Sequence, residues 1–147
     1  GGQIMSVIWR QWLTLWCYLV LGLGVIFAGS AWPQTDAAVR LFYDVIYWPL
    51  DGQSGWHESL RLTAAILGAV MMGWALTLLT LVKAALKQPD LSLWRPMTGA
   101  ILVWWGVDSS ISVALNTPGN AISNTGFLLL YLIPVFASGV LKRSNGD

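Results

Sequence analysis

The sequence predicts an all-α fold: a bundle of four transmembrane helices, with a short amphipathic helix lying at the membrane interface between helices 1 and 2. Composition is the first reason, because 56% of the 147 residues are hydrophobic and only 10% are charged, against about 25% charged in an average soluble domain. The second is four apolar stretches of roughly 20 residues, each long enough to cross about 30 Å of hydrocarbon. We therefore treat residues 1–147 as a single integral membrane domain.

The four apolar stretches set the expected limits of the transmembrane helices. We expect these helices at about residues 10–30, 58–86, 94–115 and 121–141. A cleaved signal peptide is the rival interpretation of the first stretch, because Arg10 precedes the apolar run and the small residues Gly29 and Ala31 follow it. The apolar run is long for a signal peptide, which favours a retained helix.

Three prolines define helix ends or interruptions. Pro89 should end the second helix, because proline cannot continue one, whereas Pro96 is tolerated in a first turn whose N–H groups have no helical partners. Pro134 falls inside the fourth helix. There it should produce a kink and free the carbonyl of Leu130.

The distribution of positive charge predicts the orientation. Six of the eight basic residues fall on one side of the predicted membrane: Arg10, Lys83, Lys87, Arg95, Lys142 and Arg143. The connection between the first two helices is acidic on balance, and the connection at 116–121 carries no charge. We expect both termini in the cytoplasm, and the protein in the inner membrane of a bacterium.

The first connection contains a helical pattern of its own. Thr35 can cap a helix, and apolar residues then recur at helical spacing: Ala38, Leu41, Phe42, Val45 and Ile46. Arg40, Asp44 and Tyr47 fall on the other side. The pattern predicts an amphipathic helix over about 35–47 that lies on the outer membrane surface or caps the bundle.

Small residues at four-residue spacing indicate where helices could approach closely in lipid. The second helix offers Ala65, Ala69 and Gly73, with Gly68 adjacent. The first offers Gly24 and Ala28, and these stripes are expected to be contact surfaces.

Asp108 is the most informative residue for function. It lies about seven residues, and so roughly 10 Å of helix rise, from the outer end of the third helix. An ionised aspartate near mid-bilayer costs about 2.5–3.5 kcal/mol on insertion scales. We therefore expect Asp108 to pair with a cation, to be protonated or to face water.

Other polar residues fall where they could accompany Asp108. Trp104, Asp108, Ser112 and Asn116 follow one stripe of the third helix. The fourth helix begins with Asn120 and Asn124, followed by Tyr131 on a similar face, and its short connection to the third helix forces the two to lie antiparallel. Arg61 is the cation expected to reach this group. The predicted ligand- or ion-binding residues are Asp108, Ser112, Asn116, Asn120, Asn124, Arg61, Trp104 and Tyr131.

Structural interpretations remain open for the same residues. Asn116 and Asn120 can serve the turn and the helix cap, and Ser112 can bond back to its own helix. Asp108 can form a purely structural pair with Arg61 or a neighbouring amide. The proline and glycine of Thr117-Pro118-Gly119 suit a tight turn, with glycine expected at any positive φ.

The remaining composition excludes several functional classes. A net charge of +1 provides no basic patch for nucleic acid. A single cysteine, Cys17, and a single histidine, His57, cannot form a cysteine-cluster or three-ligand zinc site, so no metal or cofactor is predicted. No catalytic motif occurs, and we expect a non-enzymatic protein, with an intramembrane enzyme or redox carrier as a minor alternative.

The run WWGVDSSISVALNTPGNAISN contains an aromatic pair, an aspartate, serines and spaced asparagines. It resembles the third and fourth segments of small four-helix bacterial integral membrane proteins. The resemblance implies the four-helix count and no particular activity.

Two functions follow as expectations. In the first, a polar intramembrane pocket binds or passes a small solute, ion, proton or lipid headgroup. In the second, the chain is a structural or accessory subunit that packs against other membrane proteins or its own copies, and the polar cluster only joins helices. Membrane lipids are partners in either case.

Overall fold

The computed structural model describes residues 5–52 and 55–142, and within these ranges the regular structure is helical. Its five α-helices are α1 (Val7–Gly29), α2 (Ala37–Ile46), α3 (Glu58–Lys87), α4 (Trp94–Ala114) and α5 (Pro118–Ala137). All except α2 are long and apolar enough to cross a membrane, which confirms the predicted number of such helices. Of the six basic residues used to predict orientation, Arg143 lies outside the described ranges.

The turn between α4 and α5 differs from the predicted one. α5 begins at Pro118 rather than near 121, because proline fits the first helical turn. The positive φ of the turn, 57°, belongs to Asn116, and Gly119 lies within the helix. Asparagine adopts this left-handed conformation more readily than most residues. α5 also ends at Ala137 rather than at 141, shortly before Gly139, whose φ is 67°.

The start of α2 also differs from prediction. Thr35 does not cap this helix; its hydroxyl donates a hydrogen bond to the carbonyl oxygen of Gly29 at the end of α1. α2 then begins at Ala37. Asp44, expected on the outward polar face, is buried and its carboxylate accepts the N–H of Gly52 at 3.1 and 3.2 Å. The connection therefore folds back onto α2.

α1 and α3 are antiparallel and approach most closely at two glycines. A Cβ added at Gly68 would lie 2.1 Å from the backbone nitrogen of Ala28 and 2.6 Å from the carbonyl oxygen of Gly24. The prediction of Gly24 and Ala28 as contact residues fits this geometry. The stripe predicted for α3 is wrong in phase: Ala64, Gly68 and Ala75 are buried, whereas Ala69 and Gly73 are exposed.

Two tryptophans of α1 connect it to α5. The indole N–H of Trp12 donates to the carbonyl oxygen of Leu130 at 2.7 Å, and that of Trp16 donates to Phe127 at 3.1 Å. The Leu130 carbonyl is the one that Pro134, which has no N–H, leaves without its helical donor. The expected free carbonyl is thus satisfied by a side chain from another helix.

Arg61 ties the first connection to α1 and α3. Its guanidinium forms an ion pair of 3.0 Å with Asp36, donates to the carbonyl oxygen of Ser30 at 2.9 Å, and lies 5.4 Å from the ring centre of Trp56. The Asp36 side chain is only 4% exposed. At the other end of the molecule, Arg95 donates two hydrogen bonds to the carbonyl oxygen of Leu141. The start of α4 and the last described residues therefore lie together.

Candidate functional site

A cavity of about 580 Å³ lies between the α1–α3 pair and the α4–α5 pair. Side chains from α1, α3, α4 and α5 form its walls, and residues of α2 together with Tyr47 close one end. Across it, the rings of Trp74 on α3 and Trp104 on α4 lie 5.5 Å apart. Eight aromatic residues line the cavity: Trp16, Phe27, Phe42, Tyr43, Tyr47, Trp74, Trp104 and Phe127.

The carboxylate of Asp108 is the polar centre of this cavity. Its Oδ1 accepts hydrogen bonds from the amide nitrogens of Asn120, at 2.9 Å, and Asn124, at 2.8 Å. The hydroxyl of Ser112 lies 3.4 Å from the same oxygen and 2.8 Å from the Asn120 amide nitrogen. None of the hydrogen bonds among residues 5–52 and 55–142 involves Oδ2. Two amides therefore hold Oδ1, whereas Oδ2 has no hydrogen-bond partner in the described part of the chain, on a residue that lines the cavity.

Local sequence explains why these four residues converge. Asp108 and Ser112 are one helical turn apart on α4, as are Asn120 and Asn124 on α5. The connection is tightened by Thr117, whose backbone N–H and hydroxyl both donate to the carbonyl oxygen of Ser112, at 2.8 and 2.9 Å. This turn sets the two helices in register, so that both amides face the carboxylate.

The structure distinguishes between the alternative roles that the sequence left open for Asn120 and Ser112. Asn120 is not the N-cap of α5, which is Thr117, and its side chain contacts Asp108 instead. Ser112 does both things considered for it: its hydroxyl donates to the backbone carbonyl of Asp108 at 2.8 Å and also contacts Asn120. Trp104 lies on the cavity wall beside Asp108.

Three of the predicted site residues lie elsewhere. Arg61 is paired with Asp36 and is not among the cavity-lining residues. Asn116 is exposed in the turn, and Tyr131 is fully buried nearer the other end, where its hydroxyl is 2.8 Å from that of Thr98. The expected pair between Asp108 and Arg61 is absent among the described residues, because a closer carboxylate competes for this guanidinium.

Several cavity residues were not predicted. Phe42, Tyr43 and Tyr47 come from the first connection, and Ser123 comes from α5. Burial raises the pKa of the Tyr43 phenol above its ordinary value of 10, and the neighbouring Tyr47 raises it further. The helical pattern of the connection was the available indication, but the sequence did not show which face would turn inward.

The cavity combines an apolar, aromatic body with one carboxyl group, that of Asp108. Among the described residues that line the cavity, Asp108 is the only aspartate, glutamate, lysine, arginine or histidine. The other polar groups near it are neutral: Thr117, Asn120, Ser123 and Asn124. The chain matches no known protein family, no curated protein and no solved structure.

Proposed function

We propose that this chain is a non-enzymatic integral membrane protein that binds or passes a small amphipathic cation through the cavity at Asp108. The observation that carries the proposal is a single carboxylate in an otherwise uncharged aromatic cavity, with only Oδ1 engaged by protein amides. Among the expected classes (solute, ion, proton and lipid headgroup), an organic cation makes use of both the charge and the apolar volume.

Electrostatics favours a positive ligand at this position. A carboxylate in a medium of low dielectric requires compensation, and amide dipoles at Oδ1 supply only part of it. Aromatic rings attract cations through their negative faces, with about 2 kcal/mol or more when the pair is desolvated. Trp104 provides such a ring in the cavity lining, one helical turn from Asp108 on α4. A negative ligand would meet like charge and no basic side chain among the cavity-lining residues.

The proposal includes a membrane arrangement. Following the distribution of basic residues, we place both termini in the cytoplasm of a bacterium and α2 at the outer surface of its inner membrane. α2 lies at the same end of the bundle as the turn between α4 and α5, since Ile46 lies 3.9 Å from where a Cβ on Gly119 would be, so this orientation puts that turn on the outer side as well. The cavity then lies in the outer half of the bilayer.

Replacement of Asp108 by asparagine tests the charge without removing the acceptor. In D108N the side-chain oxygen can still accept from Asn120 and Asn124, while an NH₂ group takes the place of Oδ2. The purified protein in zwitterionic nanodiscs is titrated with benzyltrimethylammonium and with benzenesulfonate, and binding is followed by calorimetry and tryptophan fluorescence. We expect the cation alone to bind, and D108N to weaken it at least tenfold, as expected for loss of a charge-assisted contact worth about 1.5–3 kcal/mol.

The matched control is D90N, which removes an exposed carboxylate between α3 and α4 and should leave binding unchanged. Equal binding of the two probes, no binding of the cation, or cation binding that survives D108N would each refute the proposal.

A second candidate function is that of a structural or accessory subunit that assembles with other membrane proteins or with its own copies. The saturation of Oδ1 by two amides favours it, because that network joins α4 to α5 without any ligand. On this alternative D108N lowers the melting temperature or the assembly of the protein, and neither probe binds to the unmodified chain.

A further inference from the structure

A second concave surface lies between α1 and α3, at the end away from the Asp108 cavity. It has a volume of about 430 Å³. Three cationic side chains line it: Arg10 from the first turn of α1, and Lys83 and Lys87 from the last turns of α3. We call it the basic groove.

Among the described residues, no acidic side chain compensates the charges of the basic groove. No aspartate or glutamate is among its lining residues. The ion pairs between described residues all involve Arg61, so Arg10, Lys83 and Lys87 have no acidic partner in the described part of the chain. All three side chains are exposed. Three like charges at one place repel one another, and an anion between them would relieve that repulsion.

The groove changes from basic to apolar along α1. Gln11 and Thr14 lie next to the charges, and Leu15 and Tyr18 follow, 60% and 48% exposed. The helix rises about 12 Å over the eight residue steps from Arg10 to Tyr18. In a bilayer spanned by α1 and α3, the basic part at the helix ends would lie at headgroup depth, and the apolar part would extend toward the bilayer centre. This is the polarity profile of a phospholipid, with its phosphate at the mouth and an acyl chain on the apolar wall.

We propose that the basic groove binds the phosphate of an anionic phospholipid, held by Arg10, Lys83 and Lys87. Free phosphate shares the same chemistry at the mouth, but it would leave the apolar wall unused. Basic pockets between transmembrane helices are suited to such headgroups, with about 1 kcal/mol for each basic residue near the surface. The alternative is that the long side chains extend independently to water without a shared ligand.

Native mass spectrometry of delipidated protein provides the test. The full chain in detergent is titrated with phosphatidylglycerol or with phosphatidylcholine of the same acyl chains, and the first bound lipid is quantified. We expect at least tenfold preference for phosphatidylglycerol. Each charge removed should lower the affinity for phosphatidylglycerol about fivefold. The double variant K83Q/K87Q should therefore lose the preference by an order of magnitude or more.

The matched control is R40Q/K142Q, which removes two exposed cations from outside the groove and should retain the preference. Circular dichroism verifies that each variant is folded, and R10Q provides an independent variant on the other helix. Equal binding of the two lipids, or equal losses in the groove and control variants, would overturn the proposal. Inorganic phosphate that displaces phosphatidylglycerol at millimolar concentration would instead identify a free-phosphate site and also overturn it.

Discussion

The indole N–H of Trp12 donates a 2.7 Å hydrogen bond to the carbonyl oxygen of Leu130, on a neighbouring helix. Pro134 removes the backbone donor that this carbonyl would otherwise have, and a polar backbone group in an apolar medium is costly when unpaired. The tryptophan therefore compensates for the proline. The two residues lie on different helices, so the helix interruption becomes a helix–helix contact.

Trp12→Phe should consequently destabilise the protein. We expect a loss of about 1–3 kcal/mol in the free energy of unfolding, because the donor to the Leu130 carbonyl is removed while a smaller aromatic ring remains beside Trp9. Equilibrium unfolding in SDS, followed by circular dichroism, measures this. In a P134A background the new N–H of residue 134 can donate to Leu130, so the same substitution should cost clearly less. An equal cost in both backgrounds would contradict the interpretation.

Gly68→Ala should be among the most damaging single-methyl substitutions in the chain. The added Cβ would lie 2.1 Å from backbone rather than from a flexible side chain, so α1 and α3 must separate. We expect a loss of about 3 kcal/mol by the same unfolding assay. Gly73→Ala is the matched control, because nothing lies within 4 Å of its added Cβ. That variant should be neutral or gain up to about 1 kcal/mol from helix propensity.

The pair of Arg61 and Asp36 should show strong energetic coupling. Arg61→Gln leaves a carboxylate that is almost completely buried without its cation, which typically costs about 3–5 kcal/mol. The double variant D36N/R61Q should lose markedly less than the sum of the two single losses in thermal unfolding. Arg40→Gln removes an exposed cation of the same connection and should have little effect. Additive losses would show that the pair contributes nothing specific.

Alkaline pH should destabilise the protein partly through Tyr43. Its pKa is raised in the folded state by burial and by Tyr47, so the unfolded chain loses the phenolic proton first. The stabilisation is fully present below the unfolded pKa of about 10 and is lost as pH rises through the folded pKa. Tyr43→Phe should therefore flatten the decline of the melting temperature above about pH 10. Tyr18→Phe, a change at an exposed tyrosine of α1, serves as the control and should keep the full decline.

The convergence at Asp108 could be predicted because it depends on local geometry. One helical turn separates Asp108 from Ser112 and Asn120 from Asn124, and a short connection leaves the two helices only an antiparallel arrangement. The freed carbonyl of Leu130 was predictable for the same reason, as it follows from the chemistry of proline alone.

The remaining contacts join residues that are far apart in the sequence, and the spacing of residues within one helix does not determine them. The sequence offers Arg61 several acidic residues as partners, and the path of the first connection brings Asp36 to it. The small residues of α3 permit more than one contact stripe, and only the partner surface on α1 selects Gly68 over Gly73. Which aromatic residues of the connection face inward, Tyr43 among them, depends on the same tertiary packing.

The length of α3 has a consequence for the bilayer that this chain prefers. Its 30 residues rise about 45 Å, whereas hydrocarbon is about 30 Å thick. The 21 residues between Arg61 and Lys83 include no charged side chain, and the helix rises about 33 Å from one of these cations to the other. A much thicker membrane would draw one of these cations into the acyl region, and a much thinner one would force the helix to tilt. The stability of the protein should therefore be greatest in lipids whose hydrocarbon thickness is close to this value.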